Sequence, residues 1–544
     1  MHKLAFLAAL TSLSFGAIAA SAQVKSPAPE ACSDLTRLTL PNTHILQADP
    51  VAPGTLTQPP SPVEGQFAIY KSLPALCRVV AEITPSPDSS IKIELWMPTN
   101  GWNGKFRGQG NGGFAGEINT LAIASAVGQG YASASTDTGH LAPFIDAKWA
   151  LHHPEKIIDF GYRAIHAMTE KSREIIRAYY GIAPLHSYFA ACSDGGREAL
   201  MEAQRFPADY DGIIAGAPAN YWTALLTNAV YNAQLLTQNP ASYIPSTKLS
   251  AINSAVLAAC DAKDGVTDGI LNDPRSCHFN PAVLLCKAEE SDKCLTTPQI
   301  TTLNGLYRGS RNAQGTQIFP GYLPGSEDGP GGWTPWILGN APENSLMFAF
   351  GNNYFKYMVE DNPDWNLKSA NIDVLLTDAS NKTASALNST NPNLGPFIRR
   401  GGKLILYHGW NDPAIASLNT IRYYDSVVEM IGQPSAESSV RLFMAPGVQH
   451  CSGGPGPDDF GQRGVPSSPG LGDPQHDINL ALEQWVESGV APDKIIASKI
   501  SANGTNPHVT MSRPLCPYPQ AAKYNGSGDT NDAANFSCAV QPKP

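Results

Sequence analysis

Short apolar runs and stretches with apolar residues every three or four positions alternate through much of the chain. Ile91 to Pro98 alternates as a strand does and runs into Gly108-Gln109-Gly110-Asn111-Gly112-Gly113-Phe114, a glycine-rich loop. Leu121 to Val127 reads as a helix and Tyr131 to Thr136 as a strand ending in Asp137-Thr138-Gly139-His140. From Ile157 to Tyr180 the apolar steps are those of an amphipathic helix, stopped at Gly181. Leu185 to Ala191 predicts a buried strand, Gly196 to Arg205 a helix and Gly212 to Ala217 another strand. Such alternation predicts an α/β fold with a largely parallel sheet.

The alternation stops near Ala219 and resumes at Lys403 to Tyr407. A helix from Ala414 to about Ile431, a strand at Val440 to Phe443 and a helix at Ile478 to Ser488 follow. Residues 219–398 hold scattered turns, four cysteines and many aromatic residues, and predict a lid domain inserted into a sheet domain split into 23–218 and 399–544. A second domain in tandem is disfavoured, because the elements after the insertion carry half of the candidate chemistry.

Met1-His2-Lys3, the apolar run Leu4 to Ala20 and Ala20-Ser21-Ala22 predict a signal peptide over 1–22. That run is short for a bilayer span, which needs about 20 apolar residues. Export to the periplasm or the medium meets an oxidising compartment, where ten cysteines without a Cys-x-x-Cys pair read as five disulfides. Sequence neighbourhood pairs Cys32 with Cys77, Cys260 with Cys277, Cys286 with Cys294 and Cys516 with Cys538, leaving Cys192 for Cys451. A net charge of −10 with no basic cluster argues against nucleic acid and anionic membranes as partners.

The last pairing bears on chemistry, because Cys192 precedes Ser193 and Cys451 follows His450. A disulfide holds its Cα atoms within about 4.4 to 6.8 Å, so this bond sets a serine beside a histidine. Ser193 lies at a strand-to-helix turn with Gly195 and Gly196 behind it, the setting of a nucleophile elbow, although Ala191 replaces the usual first glycine. A structural turn serine has the same local look. Two later strands lead into Asp412 and into His450, giving the order Ser, acid, His expected of such a hydrolase. Oxyanion donors are expected from the Asp194 N–H and from the glycine loop, with Gly113 favoured over Gly112. The loop lacks the Lys-Ser/Thr of a phosphate cradle. His408 is a rival base, disfavoured because it adjoins its strand and precedes the acid. His152 and Glu155, separated by Pro154, read as a loop pair rather than metal ligands, and His140 with Asp137 as a turn or a border of the site.

Cys-Ser-x-Gly-Gly at 192–196, Gly-x-x-Asp at 409–412, His-Cys at 450–451 and the run Arg513 to Pro519 give the chain a resemblance to the tannase and feruloyl esterase family. These are secreted α/β-hydrolases that include mono(2-hydroxyethyl) terephthalate hydrolase. The resemblance runs from about Cys32 to the end and implies the triad Ser193, Asp412 and His450. It also implies a structural calcium in the lid, with side-chain ligands Asp261, Asp264 and Asp268 and carbonyl ligands Val266 and Ile270. Three carboxylates among glycines suit a hard cation physically, though an Asp-Gly turn pair is the plainer alternative. No organic cofactor is expected, and the oligomeric state is open.

The implied substrates are small esters of aromatic acids, galloyl, feruloyl or terephthalate monoesters. Trp333, Trp336, Phe350 and Tyr354 are candidates to meet the ring. From Ala313 to Ile398 there is no arginine to hold a terephthalate carboxylate, and Lys356 is the single lysine in the aromatic stretch. A phenolic-acid esterase is therefore the first reading. A metallohydrolase lacks its histidine cluster, and a catalytically inert secreted binding protein has no use for the full set.

Overall fold

In the computed structural model, which describes residues 31–56, 68–325, 327–464, 472–501 and 507–540, nine strands form one sheet. They are β1 (Thr43–Val51), β2 (Leu76–Ile83), β3 (Ile91–Pro98), β4 (Lys105–Gln109), β5 (Ala132–Thr136), β6 (His186–Cys192), β7 (Gly212–Gly216), β8 (Lys403–Gly409) and β9 (Val440–Ala445). The expected signal peptide lies outside the described residues. Spatial order is β1-β2-β3-β5-β4-β6-β7-β8-β9, with β5, β4, β6, β7, β8 and β9 parallel. The first three strands are antiparallel, an edge that the apolar pattern did not predict.

Strands β7, β8 and β9 are near-continuous apolar runs because both faces are covered. Along β7, β8 and β9, Ile213, Leu404, Leu406 and Leu442 point into one core, and Ile214, Ile405, Tyr407 and Phe443 into the other. The first core is closed by the Ala164–Tyr180 helix, which ends at Gly181 in the left-handed conformation. The second is closed by the Ile478–Ser488 helix through Leu482 and Trp485.

Between β7 and β8 the chain builds helices Trp222–Thr237, Leu249–Cys260, Thr297–Arg308, Leu346–Tyr354 and Ile372–Leu387. Their apolar faces share a core with Phe114, Phe160, Ala414 and Ile415 from the sheet half, which docks the segment against the chain that follows β4, β5 and β8. Two hairpins follow β9: β10 (Ile495–Ile500) with β11 (Val509–Leu515), and β12 (Gln520–Tyr524) with β13 (Phe536–Val540). The five disulfides are Cys32–Cys77, Cys192–Cys451, Cys260–Cys277, Cys286–Cys294 and Cys516–Cys538. Among the described residues no helix is long and apolar enough to cross a membrane.

Candidate active site

Ser193 sits between β6 and the Asp194–Arg205 helix at φ 68°, ψ −123°, a conformation costly for a residue with a side chain. Tertiary hydrogen bonds enforce it: its N–H donates to Gly216 O at 3.0 Å and its carbonyl accepts from Ala219 N at 3.1 Å. The turn is closed so tightly that a Cβ on Gly195 would lie 2.8 Å from Asn111 O, and one on Gly196 would collide with Gly216 O. Small residues are required there by contact rather than by dihedral angle. Beneath the elbow, buried Arg197 pairs with Asp194 at 2.6 Å and donates to Gly161 O and Phe160 O.

The loops after β8 and β9 bring the other two groups in. His450 Nε2 lies 2.9 Å from Ser193 Oγ, and His450 Nδ1 lies 2.8 Å from Asp412 Oδ2. Asp412 Oδ1 accepts from the N–H groups of Ala414 and Ile415 at 2.8 and 2.9 Å, which fixes the carboxylate plane. His408, in β8, does not approach Ser193; its Nε2 lies 3.1 Å from Asp412 Oδ2 and its Nδ1 bonds Thr420 Oγ1. Burial pushes the Asp412 carboxyl up, but the facing His450 and the bonds from both histidines outweigh this and hold it below the ordinary carboxylate range. An ionised acid, an oriented imidazole and a hydroxyl in line can carry a proton from Ser193 Oγ to His450 Nε2.

The Cys192–Cys451 bond joins the neighbours of the serine and the histidine with 6.0 Å between Cα atoms. The Asp194 N–H is the first of its helix and has no acceptor within it. Gly113, at φ 61°, stands beside it in the wall of the same cavity, and a Cβ there would collide with Phe144 O.

Two spaces meet at Ser193. One is a cleft of about 1740 Å³ with mixed walls, among them Tyr70, Arg78, Glu94, Asn119, Asp137 and Leu141. The other is an inner pocket of about 70 Å³ walled by Trp222, Leu225, Leu226, Met347, Phe350 and Ile415. That volume is about half of the roughly 150 Å³ of an apolar cavity that takes benzene, so the inner pocket is an apolar recess that admits part of a ring, the rest lying in the cleft. Trp336 borders both spaces, its ring 4.8 Å from that of His450. Trp333 and Tyr354, expected at the substrate, are placed elsewhere. Trp333 is buried against Tyr307 and Tyr322, and Tyr354 bonds Thr383 within the helical segment, because their faces turn into that segment's own core.

A model of the family described as tannase and feruloyl esterase matches residues 77–539. Over 538 residues the chain is 40% identical to an uncharacterized esterase of Xanthomonas campestris, covering 95% of this chain and 92% of that protein. The chain belongs to the tannase and feruloyl esterase family. Its structure is similar to the crystal structure of feruloyl esterase B from Aspergillus oryzae, with a TM-score of 0.84 at 29% identity over 93% of this chain and 99% of that one. Tannin acyl hydrolase from Aspergillus niger shares the fold, with a TM-score of 0.71 at 24% identity over 92% of each chain. The protein is a carboxylic ester hydrolase of α/β-hydrolase fold.

The remaining candidates of the esterase are not part of the hydrogen-bonded line of Ser193, His450 and Asp412. His140 is buried, stacked on Trp149 and bonded to Phe114 O, and burial brings its pKa down to about 4. Asp137 accepts from the N–H groups of Lys92 and Gly139 in the wall of the cleft. His152 pairs with Asp361 and Glu155 with Arg163, so the two share no ligand. In the Asp261–Ile270 loop, Asp261 Oδ1 is buried without a partner, and burial with the charges of Asp268 and Asp261 pushes Asp264 up to about 6. That deficit of positive charge fits a hard cation, although Arg513 already answers Asp268 at 2.7 Å. The loop also touches the site's supports: a Cβ on Gly447, ahead of His450, would lie 3.2 Å from Ile270.

Proposed function

We propose that this esterase is a secreted enzyme that hydrolyses esters of phenolic aromatic acids through an acyl-enzyme on Ser193. The observation that carries the reading is the hydrogen-bonded line Ser193, His450, Asp412 opening onto an apolar recess walled by aromatic side chains. Ser193 Oγ attacks the ester carbonyl as His450 accepts its proton, and the same proton passes to the departing alcohol. Water then enters by the reverse logic and frees the acid. Asp412 holds the imidazole with Nδ1 protonated, and the amides of Asp194 and Gly113 face the developing oxyanion.

The two spaces divide the substrate between them. The inner pocket has apolar walls with Trp222, Phe350 and Trp336 for a ring, and among the described residues neither lysine nor arginine lines it. A terephthalate monoester would bring an unpaired carboxylate into that wall, a burial costing several kcal/mol, so a neutral feruloyl or galloyl group is favoured. The wide, mixed cleft suits a bulky alcohol. The helical segment 219–398 serves as the lid that supplies the acyl walls. When bound, calcium on Asp261, Asp264 and Asp268 would brace that lid against the His450 loop. The name of the Aspergillus oryzae structure supports the acyl preference. Hydrolysis of methyl ferulate, methyl gallate and a terephthalate monoester by wild type and Ser193→Ala tests both parts. Activity retained in the variant, or a preference for the terephthalate ester, overturns the corresponding part.

A further inference from the structure

The oxyanion loop is gripped by the helix that carries the nucleophile. Asn111, two residues before Gly113, donates its backbone N–H to Glu198 Oε2 at 2.9 Å, and its carbonyl accepts from Gly195 N–H at 2.9 Å. Gly195 follows the elbow by two positions and Glu198 by five, so one turn of one helix holds both ends of the same peptide residue. The carboxyl lies flat against the loop: a Cβ on Gly110 would sit 2.6 Å from Glu198 Oε2 and 2.7 Å from the Ala191 side chain. The Asn111 side chain finishes the anchorage by donating to Glu117 O at 2.8 Å and Thr136 O at 2.9 Å.

Glu198 is 1% exposed, and its other oxygen, Oε1, has no partner among the described residues. Burying a carboxyl that makes one hydrogen bond is expensive, and an apolar residue of the same volume would fill the place at lower cost. What an apolar residue cannot do is accept the Asn111 N–H. We infer that Glu198 is a positioning residue for the oxyanion hole, fixing the glycine loop over the helix so that the Gly113 amide stands at the right distance from Ser193. The inference rests on the Ser193 mechanism proposed above. Alignment of this kind is worth protecting, since a displacement of about 1 Å can cost about 100-fold in rate.

The test compares Glu198→Met, which keeps volume and loses the acceptor, with Glu198→Gln, which keeps an acceptor. Each is assayed for kcat and KM on methyl ferulate and for affinity toward an aryl trifluoromethyl ketone, whose serine adduct carries the oxyanion. Glu198→Met is expected to lose about 10- to 100-fold in kcat and a similar factor in ketone affinity, with KM within about threefold. Glu198→Gln is expected to stay within about threefold of wild type in all three. If Glu198→Met folds poorly, Glu198→Asp retracts the acceptor while keeping the acid and is expected to show the same split. Folded Glu198→Met or Glu198→Asp with wild-type kcat and ketone affinity overturns the inference, as does a Gln variant as impaired as Met. Activity surviving in Ser193→Ala instead defeats the underlying mechanism, whatever the Glu198 variants do.

Discussion

Replacing Asp412 by asparagine removes a charge while keeping the shape, and the structure dictates how the amide must sit. Oδ1 of Asp412 accepts two backbone N–H groups, from Ala414 and Ile415, and Oδ2 faces His450 Nδ1 and His408 Nε2. An asparagine oxygen is expected to keep the two amides, because turning it away would leave both buried donors unpaired at about 1–3 kcal/mol each. Its NH₂ then confronts His450 Nδ1, which must give up its proton and accept. The imidazole is left with the proton on Nε2, unable to take one from Ser193. His408 has an alternative acceptor in Ile415 O at 3.0 Å and can tolerate the change. The expected loss in kcat is about 10⁴-fold, the size seen when the triad of a serine protease is forced into the wrong tautomer, or about 5.5 kcal/mol at 1.36 kcal/mol per decade. The assay is kcat on methyl ferulate, with thermal unfolding as the control for folding and ¹⁵N chemical shifts of His450 reading the tautomer. His408→Gln, measured in parallel, is expected to lose less than about tenfold, since it stands behind the acid rather than in line. A folded Asp412→Asn enzyme within tenfold of wild type, or a His408 variant impaired to the same degree as Asp412→Asn, would refute the assignment.

Three further outcomes follow from the same geometry. Removing the Cys192–Cys451 bond with a paired serine substitution opens a closure of 259 residues, whose chain-entropy ceiling is about 5.5 kcal/mol; activity is expected to fall by about 10- to 100-fold at temperatures where circular dichroism still reports a folded protein, and strictly parallel loss of both contradicts a positional role. Chelation is expected to lower the melting temperature by several degrees, with recovery on adding calcium and weaker recovery with magnesium; a melting temperature indifferent to calcium argues against the Asp261–Ile270 site. The Glu198 carboxyl is pushed up to about 8 by burial, with Asp194 adding to the shift, against about 4.3 in an unfolded chain. Between those values the folded state keeps a proton that the unfolded state has lost, so stability is expected to fall as pH rises from about 4 to 8, and Glu198→Gln to flatten the fall; superimposable pH profiles of unfolding free energy contradict it.

The strands that deliver Ser193, Asp412 and His450 were legible because buried parallel strands are continuous apolar runs with loops at their carboxyl ends. The antiparallel edge was less so. In β1 the buried positions include Ile45 and Ala48, three residues apart, because half of that strand faces water and its register shifts between Ile45 and Gln47. The aromatic stretch shows a different limit. Trp336 and Phe350 line the pocket while Trp333 and Tyr354, of the same kind and nearby in the chain, fill the core of the segment. Only the docking of that segment on the sheet decides which ring faces Ser193. Trp222, Leu225 and Ile415 carried no signal beyond that of ordinary core residues, and Glu198 read as one more polar position on a helix.

The pairing of cysteines also has a consequence for how the molecule comes to exist. Four of the bonds join cysteines that are neighbours along the chain, whereas Cys192–Cys451 spans both the Cys260–Cys277 and the Cys286–Cys294 bonds. Chains emerge amino end first, so during synthesis Cys192 meets Cys260 long before Cys451 exists. Sequential oxidation would bury Cys192, the neighbour of Ser193, in a wrong bond, and exchange through a mixed disulfide is the route back. A host supplied with an oxidase but no disulfide isomerase is therefore expected to yield protein that carries the right number of bonds and no working site.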